Sequence, residues 1–258
     1  MENIEEILRW YLLSGVNEFC DEKPLNALVQ AKAKADVLDN VSNASKNTVT
    51  SKPIIATYYQ LSDKPQRPAT TLLAQNNSGA CNNAREVCAA AKTLTELKAV
   101  MEKFEGCSLK FSANSTVFGH GSPQAKLMLI GEAPGADEDM EGVPFVGRSG
   151  QLLTKMLAAI GIDREECYIT NVLPWRPPGN RTPTDGEIAV CLPFLQRQIE
   201  LIKPKCIFLL GGSAANAVLN NAESISHLRG HIIDYITSDG TAIPTLSSFH
   251  PAYLLRTP

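Results

Sequence analysis

Residues 126–139, KLMLIGEAPGADED, join a short apolar run directly to a tight, acidic turn. The run 126–131 lacks alternation of polar and apolar side chains, which is typical of a strand buried on both faces of a sheet. Pro134 and Gly135 then predict a turn with exposed backbone amides, and Glu132 adds a carboxylate at its start. The stretch therefore predicts a buried strand that ends in a chemically active turn.

The following residues repeat this alternation of strand and helix. Apolar runs occur at 167–173, 206–212 and 243–251, and helical patterns occur at 149–160 and 184–202. Apolar strands separated by helices are typical of a mostly parallel sheet in an α/β protein. Ligands bind such sheets beyond the carboxyl ends of the strands. The unusual residues of this sequence cluster at those ends, so we expect the functional site there.

The composition excludes several classes of protein. The chain has 258 residues, with 24 Lys and Arg against 27 Asp and Glu, and a formal net charge of −3. This charge excludes histone-like binding of polyanions, although local contacts to a few phosphates stay possible. Seven cysteines without a Cys-x-x-Cys motif are typical of reduced thiols in a cytosolic protein. No apolar run suits a membrane span, and the acidic start 1–6 does not resemble a signal peptide.

The N-terminal third has a different texture. Apolar side chains at 4–13 share one helical face, which predicts an amphipathic helix over 1–15. Residues 16–91 are rich in small and polar types and bury too little to offset chain entropy, so we expect a flexible linker. One domain then covers 92–258. The first helix either docks back on this domain or binds another protein.

Four features near the strand ends each have more than one interpretation. The acids after Glu132 suggest a metal site, but their spacing lacks the Asp-x-Asp-x-Asp-Gly form of a calcium loop. Phe145 is either a core residue or an aromatic that stacks on a planar ligand. Asn171 either bonds neighbouring main chain or reads a base edge with adjacent C=O and N–H groups. His250 follows the last strand and is either structural or catalytic.

Three further segments suit contacts to nucleic acid. The Gly-rich start of the helix after Phe145 leaves amides free to meet a phosphate. Residues 176–181, RPPGNR, form a stiff and doubly basic loop that suits a phosphate contact. Residues 254–256, LLR, place two leucines beside a cation, which suits a wedge in a base stack.

Five motifs together resemble the uracil-DNA glycosylase superfamily, and above all its family 4, the bacterial and archaeal type usually built around an iron–sulfur cluster. The motifs are GEAPGADED (131–139), PFVGRSGQLL (144–153), ITNV (169–172), RPPGNR (176–181) and FHPAYLLR (249–256). Their order and spacing agree with the family from about residue 104 to residue 256. The resemblance implies a three-layer α/β/α fold with a central, mostly parallel, four-stranded sheet.

The resemblance also implies a role for each matching residue. Phe145 stacks on the flipped base, Asn171 reads uracil, and His250 lies beside a uracil carbonyl. The implied uracil-binding residues are Glu132, Ala133, Pro134, Phe145, Asn171 and His250. The implied catalytic residues are Glu132, Glu138 and His250, with Glu138 acting electrostatically. The implied DNA-binding residues are Arg148, Ser149, Arg176, Arg181, Leu254, Leu255 and Arg256.

The sequence departs from family 4 at the cluster ligands. The family usually holds a [4Fe–4S] cluster with four cysteines, and two of those positions keep Cys107 and Cys191 here. The other two positions carry Phe104 and Trp175. Two cysteines cannot hold a four-cysteine cluster, and two large apolar side chains can fill the volume it would occupy. We therefore predict no metal and no cofactor; a cluster that borrows Cys81 or Cys88 is the alternative.

The function implied by the resemblance is base excision repair of DNA. The enzyme would be a monofunctional hydrolase that flips uracil out of DNA, attacks with water and leaves an abasic site. Uracil-crosslinking relatives within this resemblance carry an inserted, Arg- and His-rich loop that forms a covalent adduct. Residues 176–184, RPPGNRTPT, contain no histidine, so the resemblance implies no covalent adduct here. The alternatives are a glycosylase with shifted specificity for deaminated purines, or a non-catalytic DNA-binding adaptor. We further expect a monomer in the bacterial cytoplasm, bound to the nucleoid while acting, with a possible protein partner at the N-terminal helix.

Overall fold

The strands form one mixed sheet with a parallel centre. The computed structural model describes residues 74–256. Their strands are β1 (His120–Gly121), β2 (Leu127–Gly131), β3 (Tyr168–Asn171), β4 (Cys206–Leu210), β5 (Ile232–Ile236) and β6 (Ala242–Ser248). The spatial order is β1-β3-β2-β4-β6-β5. The four central strands are parallel, and β1 and β5 pair antiparallel at the two edges. The predicted four-stranded parallel sheet is confirmed, and the two edge strands add to it.

Helices cover both faces of the sheet. They are α1 (Ala74–Ala90), α2 (Leu94–Lys103), α3 (Ala136–Glu141), α4 (Arg148–Ala159), α5 (Asp185–Ile202), α6 (Gly212–Leu219), α7 (Ile225–Leu228) and α8 (Pro251–Arg256). Short 3-10 turns lie at Ser108–Phe111, Arg164–Glu166 and Pro178–Asn180. In residues 74–256 no helix is long and apolar enough to cross a membrane.

Alternate side chains of β2 separate the two halves of the core. Met128 and Ile130 belong to the larger core, which also contains the buried side chains of α1, α2 and α5. Leu129 belongs to a second core on the opposite face, where it packs with Leu153 and Leu157 of α4. Successive side chains of a strand point to opposite faces, so these two cores define the predicted three-layer α/β/α fold.

Part of the segment that the sequence predicts to be a linker is helical. Residues 74–90, assigned to the linker, form α1, which packs against α5. Ala84 and Cys88 are buried one helical turn apart in this contact, and small side chains allow two helices to approach closely. The low hydrophobicity of this segment therefore does not prevent helix packing. The predicted helix at 1–15 and the linker residues 16–73 lie outside the described residues.

Candidate active site

The parallel strands bring the predicted site residues to one edge of the sheet. Gly131 and Asn171 are register partners at the ends of β2 and β3. Leu210 and Ser248 are register partners at the ends of β4 and β6. The segments that follow these ends carry the predicted motifs, with His250 two residues beyond β6. The functional site therefore lies where parallel strands place their carboxyl ends.

Asn171 has an unused hydrogen-bonding capacity inside this edge. Its side chain is buried, and within residues 74–256 no group donates a hydrogen bond to its Oδ1. An unpaired buried acceptor costs about 1–3 kcal/mol. A Cβ on Gly131 would overlap Asn171 Oδ1 and would lie 2.6 Å from Phe145 Cζ. Glycine at position 131 therefore makes room for the amide and the ring side by side.

Phe145 is held in a backbone conformation that is rare for a bulky residue. Its φ of 55° is left-handed, a region that non-glycine residues seldom occupy. A Cβ on Gly150 would overlap the Phe145 carbonyl, so the loop packs directly on the first turn of α4. The Phe145 ring stacks on the imidazole of His250, with 5.5 Å between ring centroids and 29° between planes. The predicted stacking residue and the predicted histidine are therefore neighbours.

His250 is a neutral donor with a defined tautomer. Its Nδ1 accepts a hydrogen bond from the Ala252 backbone N–H at 3.1 Å, so the ring proton resides on Nε2. Burial first, and then the charge of Arg256, lower the pKa of His250 from its ordinary 6.5 to about 4 against the opposing charge of Glu138. At neutral pH the imidazole therefore has an Nε2–H free to donate and carries no charge.

Glu138 binds the acidic turn to the Phe145 loop. Its Oε2 accepts a hydrogen bond from the Gly135 N–H at 3.0 Å. Its Oε1 accepts from the backbone N–H groups of Val146 and Gly147, each at 3.0 Å. The carboxylate is buried and bonded to three amides. Its electrostatic role in catalysis stays a prediction, and its contacts additionally fix the backbone beside Phe145.

A cavity of about 300 Å³ opens beside His250. Its wall includes Glu132, Gly211, Gly212, Ser226, Phe249 and His250. Two other residues of the predicted turn, Ala133 and Pro134, are half-buried and buried directly after Glu132. The cavity is of the size of a small ligand site, and both Glu132 and His250 contribute to its wall.

The predicted DNA-binding residues lie on three segments. Leu254, Leu255 and Arg256 belong to α8, and Arg148 and Ser149 begin α4. Because α8 packs against α4, these two segments are adjacent. Leu255 and Arg256 are exposed. Exposure is required of a leucine that enters a base stack and of an arginine that contacts a phosphate.

The third segment is the basic loop after β3. Arg176 Nε donates to Asn180 Oδ1 at 2.7 Å. Arg181 forms a two-bond ion pair with Glu187, with N–O distances of 2.6 and 2.9 Å. Glu187 also forms a capping box with Thr184 at the start of α5. Arg181 therefore has a structural partner, and its contact with DNA stays a prediction.

Sequence reasoning missed two parts of the site. Gly211 and Gly212 line the cavity, and Gly211 has a φ of 98° that favours glycine. The Gly-Gly pair directly after an apolar strand could have signalled this turn. Arg164, in a 3-10 turn before β3, donates to the Pro144 carbonyl at 2.7 Å. No local motif marks this contact, because the two residues are twenty positions apart.

The residues at the family's cluster positions do not fit a [4Fe–4S] cluster. Cys107 Sγ and Cys191 Sγ are 3.8 Å apart in the core. The buried Phe104 ring packs edge-on against Phe194, with 5.1 Å between centroids. The buried Trp175 donates from Nε1 to Thr116 Oγ1 at 3.0 Å. Phe104 and Trp175 thus occupy packed positions and offer no thiolate.

The borrowed-ligand alternative depends on the surroundings of Cys81 and Cys88 in the part of the chain that the structure describes. There, no three side chains of His, Cys, Asp or Glu lie close enough together to hold a metal ion. Cys88 is buried, and desolvation raises the pKa of its thiol to about 12, which disfavours the thiolate that a metal needs.

Comparison with known proteins agrees with this geometry. A family model described as "Uracil DNA glycosylase superfamily" matches residues 118–258. The type-4 uracil-DNA glycosylase of Thermotoga maritima is 44% identical over 157 residues, which are 60% of this chain and 80% of that protein. The enzyme of that name from Archaeoglobus fulgidus is 42% identical over 156 residues (59% and 78%), and that from Pyrobaculum aerophilum is 38% identical over 169 residues (64% and 86%). This chain belongs to the uracil-DNA glycosylase superfamily.

Proposed function

We propose that this chain is a DNA repair enzyme that hydrolyses the N-glycosidic bond of uracil in DNA and leaves an abasic site. The observation that carries the proposal is the unpaired Oδ1 of Asn171 beside the Phe145 ring. Uracil has an N3–H donor next to a carbonyl, and a carboxamide has the complementary acceptor and donor. The names of the relatives, type-4 uracil-DNA glycosylases, support the same activity.

Base flipping explains the placement of Phe145. A base inside a duplex must rotate out of the stack to reach a buried site, which costs a few kcal/mol. Stacking on an aromatic ring returns roughly 1–3 kcal/mol per base. The Phe145 ring is already fixed against His250. Little further ordering is needed when the base enters, and pre-organisation of this kind increases affinity.

The chemistry requires stabilisation of an anion. Cleavage builds negative charge on the uracil oxygens and positive charge on the sugar. Donors already directed at the place where charge develops are an effective form of catalysis. His250 supplies a neutral Nε2–H, and the amide N–H groups of Asn171 supply a second donor. The hydroxyl of water then bonds to the sugar, and the remaining proton goes to the uracil anion.

Glu132 and Glu138 contribute on the sugar side in this proposal. Glu132 lines the cavity with His250, where its carboxylate can orient the attacking water and offset positive charge on the sugar. Glu138 is farther from the cavity, bonded to amides of the loop, and acts through its negative charge. Neither residue needs to form a covalent bond with the sugar, because uracil is a tolerable leaving anion.

We infer that DNA is held by local contacts on α4, α8 and the basic loop. Leu254 and Leu255 would fill the gap left by the flipped base. Arg148, Ser149 and Arg256 would contact phosphates near that gap, and Arg176 and Arg181 would extend the contact. This arrangement suits a chain whose formal net charge is −3.

We also infer that the domain folds without an iron–sulfur cluster. The support is the packing of Phe104 and Trp175 at two of the four ligand positions. An iron determination on protein purified without oxygen tests this inference, together with absorbance near ~400 nm. About four irons per chain would contradict it, and less than one iron in ten chains would agree with it.

The enzyme acts where its DNA lies, so we place it in the bacterial cytoplasm, at the nucleoid while it acts. One flipped nucleotide needs one site, and we expect a monomer in light scattering. Residues 1–15 are the segment proposed for a protein partner.

A glycosylase assay tests the main proposal. A labelled oligonucleotide with one uracil is incubated with the protein and then cleaved at abasic sites by alkali. We expect cleavage by the wild type and at least about 100-fold less by Asn171→Ala. Asn82→Ala, on the exposed face of α1, is the matched control and should cleave normally. Wild-type protein that cleaves only hypoxanthine or xanthine duplexes, or no substrate at all, would contradict the proposal.

A further inference from the structure

Phe145 needs support from its surroundings to keep its backbone conformation. A left-handed φ is energetically unfavourable for a bulky residue, and here the φ is 55°. The residues around it, in the sequence PFVG, include no partner within the loop for the Pro144 carbonyl. Residues of other helices and turns must therefore stabilise the backbone conformation of Phe145.

Arg164 provides this support on the N-terminal side of Phe145. Its Nη2 donates to the Pro144 carbonyl at 2.7 Å. Its Nη1 donates to Thr154 Oγ1 at 3.1 Å, and Thr154 Oγ1 in turn donates to the Gly150 carbonyl at 3.1 Å. The guanidinium thus connects the peptide before Phe145 to the first turns of α4.

Glu138 holds the opposite side of the same residue. It accepts hydrogen bonds from the amides of Val146 and Gly147. The peptide before Phe145 is therefore held by a cation, and the two peptides after it are held by an anion. Hydrogen bonds to charged groups are about twice as strong as neutral ones, so the two contacts can offset the cost of the left-handed conformation.

Arg164 is half-buried where it contacts the Pro144 carbonyl. Burial lowers the pKa of its guanidinium from the ordinary value, while the charge of Glu165 opposes this. An arginine stays protonated in proteins, so the cation is partly desolvated and directed at the carbonyl. The hydrogen bonds to the Pro144 carbonyl and to Thr154 offset the cost of this desolvation, so Arg164 is held in place by them.

We propose that Arg164 is a positioning residue for base stacking: by holding the Pro144 carbonyl it keeps Phe145 left-handed, with its ring presented to the flipped uracil. This proposal rests on the proposed function, because it concerns the same site. Without Arg164 the loop relaxes to an ordinary backbone conformation, and the ring turns away from Asn171 and His250. Arg164 itself does not touch the base.

A double-mutant cycle tests the proposal by activity. Arg164→Met should lower kcat/KM on a uracil oligonucleotide about 10- to 100-fold, as loss of one stacking aromatic does. Phe145→Ala should cause a similar loss. Adding Arg164→Met to Phe145→Ala should cause no further loss, since the ring through which Arg164 acts is then absent. Multiplicative losses in the double variant would overturn the proposal.

An NMR measurement separates this test from the failure of the proposed function. The Phe145 ring lies over the His250 imidazole, so its ring current shifts the imidazole protons, and the chain has only four histidines. Arg164→Met and Phe145→Ala should move the same His250 signals in free protein. If the wild type lacks glycosylase activity, this result still decides the role of Arg164. Unchanged His250 signals in Arg164→Met would overturn it.

Two controls keep the test informative. Arg85→Met removes an exposed arginine of α1 and should leave both kcat/KM and the His250 signals unchanged. If Arg164→Met does not fold, Thr154→Val keeps Arg164 and removes the second partner of the guanidinium, together with the hydrogen bond from Thr154 to the Gly150 carbonyl. It should move the His250 signals in the same direction and lower kcat/KM about 2- to 5-fold. Wild-type values in Thr154→Val would then count against the proposal.

Discussion

The backbone N–H of Ala252 donates to Nδ1 of His250 at 3.1 Å, and this bond decides which imidazole nitrogen carries the proton. The proton on Nε2 is available without any change of charge, because burial keeps the pKa of His250 near 4. The structure thereby makes His250 a neutral hydrogen-bond donor over the physiological pH range. A neutral donor can stabilise a developing anion without releasing a proton to it.

Loss of the imidazole should affect turnover more than binding. His250→Ala removes the donor to the developing uracil anion, and one such donor contributes about 100- to 1000-fold to kcat. Single-turnover assays at saturating enzyme, combined with binding to abasic DNA, separate the two effects. Full turnover by His250→Ala would rule out the assigned role.

The pH–rate profile should show no inflection due to titration of His250 between about pH 5.5 and about pH 8. The reason is that the pKa of His250 is lowered from 6.5 to about 4, so the ring stays neutral throughout. Wild type and His250→Gln should therefore differ by a constant factor over this range. An inflection near the ordinary histidine pKa that disappears in His250→Gln would contradict a neutral donor.

The same pKa predicts how the stability depends on pH. The unfolded chain binds a proton at His250 below 6.5, whereas the folded chain binds it only below about 4. The free energy of unfolding therefore falls as pH is lowered through this window, by at most about 3 kcal/mol from this group. Urea unfolding at several pH values should show a smaller fall for His250→Gln than for the wild type. If the free energy of unfolding depended on pH equally in the two proteins, His250 would not be buried in neutral form.

Gly131 should tolerate no side chain. In Gly131→Ala the new methyl group would overlap Asn171 Oδ1 and press on the Phe145 ring. Both residues must then shift, so we expect kcat/KM to fall at least about 10-fold, since small displacements of positioning groups are costly. Gly79→Ala is the matched control, because a Cβ there meets nothing within 4 Å. The uracil oligonucleotide assay and thermal unfolding measure the two variants side by side.

Truncation should distinguish the linker from α1. Deletion of residues 1–73 should leave cleavage of uracil DNA largely intact. Deletion of 1–91 also removes α1, uncovers the face of α5 against which Ala84 and Cys88 are buried, and removes the Ala91 carbonyl that accepts from Arg197. We expect a loss of roughly 3 kcal/mol or more of unfolding free energy from the lost burial and contacts. Equal melting temperatures for the two truncations would contradict the contact between α1 and the domain.

The sequence by itself determined the parallel sheet, the edge where the site lies and the identity of the family. Unbroken apolar runs such as 127–131 and 206–210 have few alternatives to buried strands. Asn171 stands out because polar residues seldom occur in such a strand, and His250 because it follows the last strand directly before a proline. These features are local, so they can be recognised from neighbouring residues. The helix at 74–90 was missed because its small and polar side chains carry almost no hydrophobic signal.

Only the tertiary structure decided how each side chain is used. The tautomer of His250, the left-handed Phe145 and the unpaired Asn171 oxygen depend on which groups meet in space. Arg164 reaches the Pro144 carbonyl across twenty residues of sequence. Such contacts depend on how separate elements pack against one another, and the energy of a hydrogen bond depends on distance, direction and burial. Distance, direction and burial cannot be read from the amino-acid sequence alone.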